Sequence, residues 1–146
     1  MHAVQGFLSL VARVMITGIF LASAVMKKIP DFAGTAAMME GKGIPQPKIL
    51  LAGAIAFLIL GSVSLIVGFK ARWGALLLLI FLVAATYYFH AFWEVAPEQR
   101  GQELTSFMKN LALMGTMLFI IANGAGPWSL DDRRATSDES LEEAAA

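Results

Sequence analysis

The sequence predicts an all-α fold: an antiparallel transmembrane four-helix bundle with a short interfacial helix between helices 1 and 2. Three observations predict it: 58% of the 146 residues are hydrophobic, only 15% are charged, and the apolar residues form four long runs. An ordinary soluble domain has roughly 25% charged residues. The composition therefore indicates a membrane protein, with the lipid bilayer as its first partner.

Each apolar run has the length of one membrane crossing. The runs cover residues 7–26, 49–69, 73–92 and 107–125. About 20 helical residues at about 1.5 Å each span the roughly 30 Å hydrocarbon core. Four crossings put both termini on one side, called side A here, and the opposite side is called side B. Residues 1–128 form the transmembrane domain in this interpretation, and the short connection FKAR makes the second and third helices antiparallel neighbours.

The first run has a second interpretation, as a secretory signal peptide. Residues 1–13 would be its charged region, and LASA at 21–24 its processing site. Its removal would leave an odd number of crossings, so we expect the segment to be kept. Within it Ser9, Arg13 and Thr17 repeat every four residues and form one polar stripe. Arg13 either ties helix ends together, snorkels to headgroups, or binds an anionic headgroup or a partner's carboxylate.

The interfacial helix is predicted between the first two crossings. The pair Pro30-Asp31 is typical of a helix start, and Phe32, Ala36 and Met39 recur on one helix face. A stiff turn, GIPQP, then leads into the second crossing. At the other end of the chain, the tail 129–146 mixes charged with small residues and has almost no apolar periodicity, so we expect it to be mobile on side A.

Several kinds of chemistry are excluded or disfavoured by composition. A net charge of zero gives no basic field for nucleic acid. The chain has no cysteine, which excludes disulfides, iron–sulfur clusters and thiolate metal sites. With His2 and His90 as its only histidines, we expect neither a haem nor another metal centre. Any redox chemistry would have to use a centre held by a partner.

A polar set is predicted at side B, where the ends of several helices meet at one depth. Its members are Ser23, Lys28, His90, Trp93, Glu94, Lys109 and Asn110. His90, Trp93 and Glu94 end the third helix in this prediction, and their spacing of three and four residues places them on one helix face. An imidazole oriented by a carboxylate could donate a hydrogen bond to a quinone carbonyl and pass a proton. The alternative is an interfacial belt, in which these residues only mark the boundary between lipid and water.

Five segments resemble the DoxX-like family of small four-span membrane proteins. They are RVMITGIFLASAVMKKIPDF, GKGIP, YYFHAFWE, FMKNLALMG and WSLDD, in this order, and they extend over about residues 7–131. The resemblance matches family motif positions to Arg13, Ser23-Ala24, Lys27 or Lys28, Gly43, Pro45, His90, Phe107, Lys109 and Asn110. Ala24 and Met114 stand where the family usually has glycine, which implies a tighter or differently shaped interior.

The resemblance implies a function linked to quinones. The family takes its name from a subunit of a thiosulfate:quinone oxidoreductase, so we expect a quinone-linked subunit or anchor of a redox complex. It would have no redox centre of its own and would lie in the inner (plasma) membrane with cytoplasmic termini. The expected catalytic residues are His90, Lys109 and Asn110, and the expected ligand-binding residues are Arg13, Ser23, Lys28, Trp93 and Glu94. The broader group also includes assembly factors, so the alternative is a non-catalytic scaffold for another membrane protein.

Overall fold

The computed structural model describes the backbone of residues 2–145 and the side chains of residues 3–137. All regular structure in this part of the chain is helical, which confirms the all-α prediction. The α-helices are α1 His2–Ala22, α2 Phe32–Gly41, α3 Pro47–Val67, α4 Ala71–Phe89, α5 Pro97–Asn123 and α6 Leu130–Ala145. A π-helical turn, Ser23–Lys28, continues α1.

Four helical segments of the described chain are long and apolar enough to cross a membrane, as the sequence predicts. They are Ala3–Lys28, Pro47–Val67, Ala71–Phe89 and Pro97–Asn123. Each end differs from the predicted bound by two residues or more, and two of these differences affect the candidate site. The third segment ends at Phe89 instead of residue 92, and the fourth begins at Pro97 instead of residue 107. Proline suits the first helical position because its missing N–H needs no partner there, so the helix begins before the apolar run does.

The core lies where α3, α4 and α5 pack together, with α1 packed on α3. Leu58, Leu78 and Met117 are completely buried there. α3 and α4 approach closely at Gly61, where a Cβ atom would lie 2.7 Å from Leu78 Cγ and 2.9 Å from the carbonyl oxygen of Gly74. Small residues at such a crossing let two helices pack closely in a membrane. Gly61 is therefore part of the internal packing.

Helix α2 packs on the first half of α3. The Asp31 carboxylate accepts a hydrogen bond of 3.1 Å from the Gly34 N–H, so this residue caps the helix as its type predicts. Ala36 and Met39 are buried and form a small apolar cluster with Leu51 of α3. The apolar face read from the sequence is thus the face that contacts the rest of the chain.

The chain after α5 returns to the turn between α3 and α4. Gly68 ends α3 with a φ of +68°, and its carbonyl oxygen accepts a hydrogen bond of 2.9 Å from the Asp131 N–H. Ser129 is almost fully buried. The start of the predicted tail is therefore packed against the transmembrane helices, and its backbone is helical from Leu130 to Ala145. Mobility of the tail stays a prediction.

Candidate functional site

His90 follows directly after the last residue of α4. Its backbone N–H donates to the Thr86 carbonyl oxygen at 3.0 Å, while its own φ and ψ of −128° and 34° leave the helix. The ring Nδ1 lies 2.9 Å from Oε2 of Glu103 on α5, and the two side chains are 28% and 26% exposed. An ionised carboxylate can only accept, so opposite ionised Glu103 the donor of this pair is Nδ1, and Nε2 is the ring nitrogen outside the pair.

The predicted partner of His90, Glu94, does not fill this role. The prediction placed His90, Trp93 and Glu94 on one helix face, which was wrong because α4 ends at Phe89. Glu94 is exposed in the turn that follows. Trp93 packs edge-on against Phe107, with ring centroids 6.1 Å apart. The indole therefore belongs to an aromatic contact between this turn and α5.

Glu103 was missed because the fourth helix was taken to begin at the apolar run. The sequence held a signal for the longer helix in Pro97, followed by Glu98 in the first turn, where an acidic side chain is favourable. Starting α5 at Pro97 puts Glu103 inside the helix, before Phe107. Because the polar residues before Phe107 are helical, the Glu103 carboxylate lies beside His90.

A second polar pair connects α4 and α5 further from the helix ends. Asn110 Nδ2 donates to Thr86 Oγ1 at 3.0 Å, and both residues are buried. Thr86 precedes His90 by one helical turn, so the two pairs succeed one another along the same interface. These four residues, His90, Glu103, Thr86 and Asn110, are called the His90 cluster below. Lys109 is exposed and lies outside it.

Lys28 ends the π-helical turn with its side chain directed back along the chain. Its Nζ atom donates to Ser23 Oγ at 2.5 Å and lies 5.3 Å from the centroid of the Phe81 ring. Phe81 lies within α4, about 12 Å before Phe89 at about 1.5 Å per residue, so the ammonium is turned inward. Such π-helical turns are frequent at functional sites. No hydrogen bond joins Lys28 to the His90 cluster within residues 3–137.

Arg13 is almost fully buried, at 3% exposure, and binds backbone oxygen atoms. Its Nη2 donates to the Trp128 carbonyl oxygen at 2.8 Å and its Nε to the Ser9 carbonyl oxygen at 3.3 Å. Ser9 Oγ donates in turn to the Ala125 carbonyl oxygen at 2.8 Å. Of the roles predicted for Arg13, this geometry matches the tie between helix ends. Ser9, Arg13 and Trp128 are called the Arg13 cluster below.

Asp131 connects the segment after α5 to the start of α4. Its two carboxylate oxygens accept hydrogen bonds from the backbone N–H groups of Lys70 and Ala71, at 2.9 and 3.0 Å. Helix α4 has no side-chain cap of its own because Lys70 stands at its N-cap position. Asp131 therefore caps α4 from a distant part of the sequence, a role that no local motif signals.

Comparison with known proteins agrees with the membrane architecture. The DoxX family model matches residues 8–91, a segment that contains Arg13, Lys28 and His90. The Inner membrane protein YqjF of Escherichia coli (strain K12) is 31% identical over 122 residues, which are 84% of this chain and 88% of that protein.

A second similarity is partial. The Surfeit locus protein 4 homolog of Schizosaccharomyces pombe is 27% identical over 97 residues, which are 65% of this chain and 31% of that protein. No solved structure matches. The family match, the similarity to YqjF and the four apolar helices together establish that this chain is a multi-pass membrane protein of the DoxX family.

Proposed function

We propose that the protein is a quinone-linked membrane subunit of a redox complex in the inner membrane. In this proposal the four apolar helices cross the bilayer in antiparallel order, and α2 lies at its surface. The E. coli relative is an inner membrane protein by its name, which supports the inner membrane as the location. The observation that carries the proposal is the His90–Glu103 pair, which stands beside a buried Thr86–Asn110 pair between two membrane helices.

The His90–Glu103 pair suits both redox states of a quinone head group. With the ring doubly protonated, Nδ1–H bonds Glu103 and Nε2–H is left to donate to a quinone carbonyl oxygen. With the ring neutral, Nε2 is an acceptor for a quinol hydroxyl. Within residues 3–137, Nε2 makes no hydrogen bond, so it is available for either role. Asn110 uses one N–H on Thr86 and keeps its second N–H and its oxygen.

Reduction of a quinone to a quinol consumes two electrons and two protons. The electrons would come from a redox cofactor of the partner enzyme, because this chain has no cysteine for a thiol centre. His90 would give one proton to a quinone oxygen, and water at the exposed edge of the pair would supply the second and reprotonate the ring. Lys28 lies beside Phe81, which precedes His90 by nine residues on the opposite face of α4, and Lys109 is exposed, so we assign neither ammonium to the developing negative charge.

Apolar surroundings complete the proposed site. Trp93, in the turn after α4, and Phe107, ten residues into α5, lie in edge-to-face contact and would pack against a quinone ring. A groove of about 530 Å³ follows the outer face of α4 and reaches Tyr87, one turn before His90. Its lining is almost entirely apolar: Leu79, Ile80, Val83, Ala84 and Tyr87. We assign it to the isoprenoid tail of the same quinone.

Quinone binding by the purified protein in nanodiscs tests this proposal. Co-purified quinone is extracted and quantified, and the affinity for a short-chain quinone is measured by equilibrium dialysis. Loss of a hydrogen bond to a charged group costs about 1.5–3 kcal/mol, so His90→Ala should weaken binding on the order of tenfold or more. Glu103→Gln should weaken it less, because the ring keeps a neutral partner.

Glu94→Gln is the matched control, since it neutralises an exposed carboxylate in the adjoining turn. Its quinone affinity should equal that of the unaltered protein. The proposal fails if the protein carries no quinone and the His90→Ala variant binds the added quinone as well as the unaltered protein does.

A scaffold for another membrane protein is the second candidate function. It is favoured by Gly18, Gly53 and Gly115, where a Cβ atom would meet nothing within 4 Å, so small residues face outward on three apolar helices. Such positions let a foreign helix approach closely. Gly53→Leu should then release a co-purifying membrane partner, while His90→Ala leaves it bound. Gly61 is unsuitable for this test because it packs internally against α4.

The charged tail can be tested in the same assay. A truncation after Ser137 keeps Asp131 and its bonds to the start of α4. If the scaffold role depends on the tail, this truncation should release the partner without lowering stability. A partner that remains bound to both the truncated chain and the Gly53→Leu variant would rule out these two surfaces.

A further inference from the structure

An open cavity of about 520 Å³, lined by both polar and apolar groups, lies at the opposite end of α4 from His90. It is bounded by the start of α4, the end of α5 and the start of α6. The polar residues that line it are Lys70, Arg72, Asn123, Ser129, Asp131 and Asp132. The volume falls within the roughly 300–1,000 Å³ of small-molecule sites. Neither the family match nor the proposed quinone function assigns a role to this cavity.

The cavity lies where an apolar helix meets polar chain. Trp73, which also lines it, is 68% exposed in the first turn of α4. Phe119, one turn before the end of α5, is 67% exposed. Exposed tryptophan near the end of a membrane helix is typical of the headgroup level of a bilayer. A lipid whose chains lie along these apolar faces would bring its headgroup to the cavity.

The cationic groups of the cavity are largely free for a ligand. Arg72 Nη2 makes one long hydrogen bond, 3.4 Å to the Ala122 carbonyl oxygen, and no carboxylate in residues 3–137 pairs with the guanidinium. Lys70 Nζ lies 5.8 Å from the centroid of the Phe69 ring. Both exposed cations keep unused N–H donors at the lipid boundary, and such donors can bind a phosphate group.

The two carboxylates of the cavity differ in their hydrogen-bond partners. Asp131 already accepts hydrogen bonds from two backbone N–H groups at the start of α4. The Asp132 carboxylate accepts none from residues 3–137: the hydrogen bonds of this residue use its backbone N–H, which donates to Ser129 Oγ at 3.1 Å, and its carbonyl oxygen, which accepts from Thr136 Oγ1 at 3.2 Å. Asp132 is therefore free to bind a cation. With two cations and two carboxylates, the lining has no net formal charge and suits a zwitterion.

We infer that this cavity binds an aminoethyl phosphodiester, the headgroup of phosphatidylethanolamine. The phosphate is held by Arg72 and Lys70, and the primary ammonium donates to the Asp132 carboxylate. A choline headgroup has the same charges but no N–H donor, so it would lose the hydrogen bond to Asp132. A glycerol headgroup would keep the phosphate contacts and leave the carboxylate without a cation. The site therefore discriminates between lipids by the amine.

Native mass spectrometry of the delipidated protein tests this inference. The protein is titrated with phosphatidylethanolamine, phosphatidylcholine and phosphatidylglycerol of identical acyl chains, and with soluble glycerophosphoethanolamine. We expect about tenfold tighter binding of phosphatidylethanolamine than of the other two lipids, as one charge-assisted hydrogen bond would give. Displacement by glycerophosphoethanolamine would show that the headgroup alone suffices, whereas no displacement would assign the site to the intact lipid.

Two exposed-residue variants separate the contacts. Arg72→Gln should weaken all three lipids, because each carries a phosphate. Asp132→Asn should abolish the preference for ethanolamine over choline and weaken phosphatidylcholine less than phosphatidylethanolamine, because choline loses only the charge attraction. Lys48→Gln, which removes an exposed cation at the start of α3, is the matched control. Equal affinities of the unaltered protein for the three lipids, or an Arg72→Gln variant no weaker than Lys48→Gln, would overturn the inference. None of these outcomes depends on quinone binding at His90.

Discussion

The Arg13 cluster and the His90 cluster both place an ionisable nitrogen side chain between helices, yet they differ in what it bonds. Arg13 is 3% exposed and donates to main-chain oxygens of Ser9 and Trp128. His90 is 28% exposed by side chain and bonds another side chain, Glu103. A bond to main chain fixes the relative position of two segments. In the His90–Glu103 pair, the second ring nitrogen of His90 has no partner within residues 3–137 and can bond a ligand.

The difference extends to the surroundings of each cluster. Near Arg13, the Asp131 carboxylate accepts hydrogen bonds from the backbone N–H groups at the start of α4. Gly68 packs so closely against Arg13 that a Cβ atom at this position would clash with Nη1. Arg13 Nη1 itself is buried without a hydrogen-bond partner among the described residues. Charged groups inside a membrane protein are costly and are retained for a reason. Here the reason is to join α1 to the segment after α5.

The largest effect on stability should follow from Arg13→Leu, which keeps the apolar stem volume and removes the guanidinium. The Trp128 carbonyl oxygen then loses its hydrogen bond, and an unsatisfied buried acceptor costs about 1–3 kcal/mol. The unfolding free energy is measured by titration with dodecyl sulfate in mixed micelles. Arg100→Leu, at an exposed position in α5, is the control and should change it by less than about 0.5 kcal/mol. Equal losses in the two variants would contradict a structural role for Arg13.

The next largest effect should come from Asp131→Ala. This change leaves the N–H groups of Lys70 and Ala71 without their carboxylate, and loss of a helix cap costs about 0.5–2 kcal/mol. Asp131→Asn should lose less, because the amide keeps one acceptor oxygen. The same micelle titration measures both variants, with Asp132→Ala as a control of equal charge change. A destabilisation by Asp132→Ala as large as that by Asp131→Ala would exclude the specific cap.

The sequence was sufficient to predict the four long apolar helices, the short helix α2 and the faces of individual helices, whereas helix α6 was not predicted. Periodicity is a local property, so the stripe of Ser9, Arg13 and Thr17 and the buried positions Ala36 and Met39 follow from spacing alone. The structure buries Arg13, Thr17, Ala36 and Met39. The helical repeat is set by local backbone geometry and not by the neighbouring helices. The buried face of a helix can therefore be predicted from its own sequence.

Hydrogen-bonded side-chain pairs between helices could not be predicted from periodicity. Glu103 and Thr86 pair with His90 and Asn110 because of the rotation and register of α5 against α4, and neither quantity is local. The end of α4 was also hidden, since the residues after Phe89 remain aromatic and apolar as far as Trp93. Asp131 is remote in sequence from the helix that it caps. Each missed contact joins segments whose distance apart only the fold determines.

A smaller effect is expected for the buried pair Thr86–Asn110. A double-mutant cycle with Thr86→Val and Asn110→Leu measures its coupling, which for hydrogen bonds between membrane helices averages about 0.6 kcal/mol. Thr86→Val preserves side-chain shape, so packing changes should be small. A coupling near zero would mean that the pair contributes nothing to the α4–α5 contact. A coupling above about 2 kcal/mol would place this end of the protein among the stabilising regions, together with Arg13.

The smallest effect on stability should come from Glu103→Gln. Both partners of this pair are about a quarter exposed, and ion pairs open to solvent contribute about 0–1 kcal/mol. We therefore expect less than about 0.5 kcal/mol of destabilisation, together with a clear loss of quinone affinity. Measuring both quantities on one preparation separates a binding group from a structural one. A large loss of stability with unchanged affinity would make His90–Glu103 a second tie between helices, equivalent to the Arg13 cluster, and would remove the distinction between the two ends of the molecule.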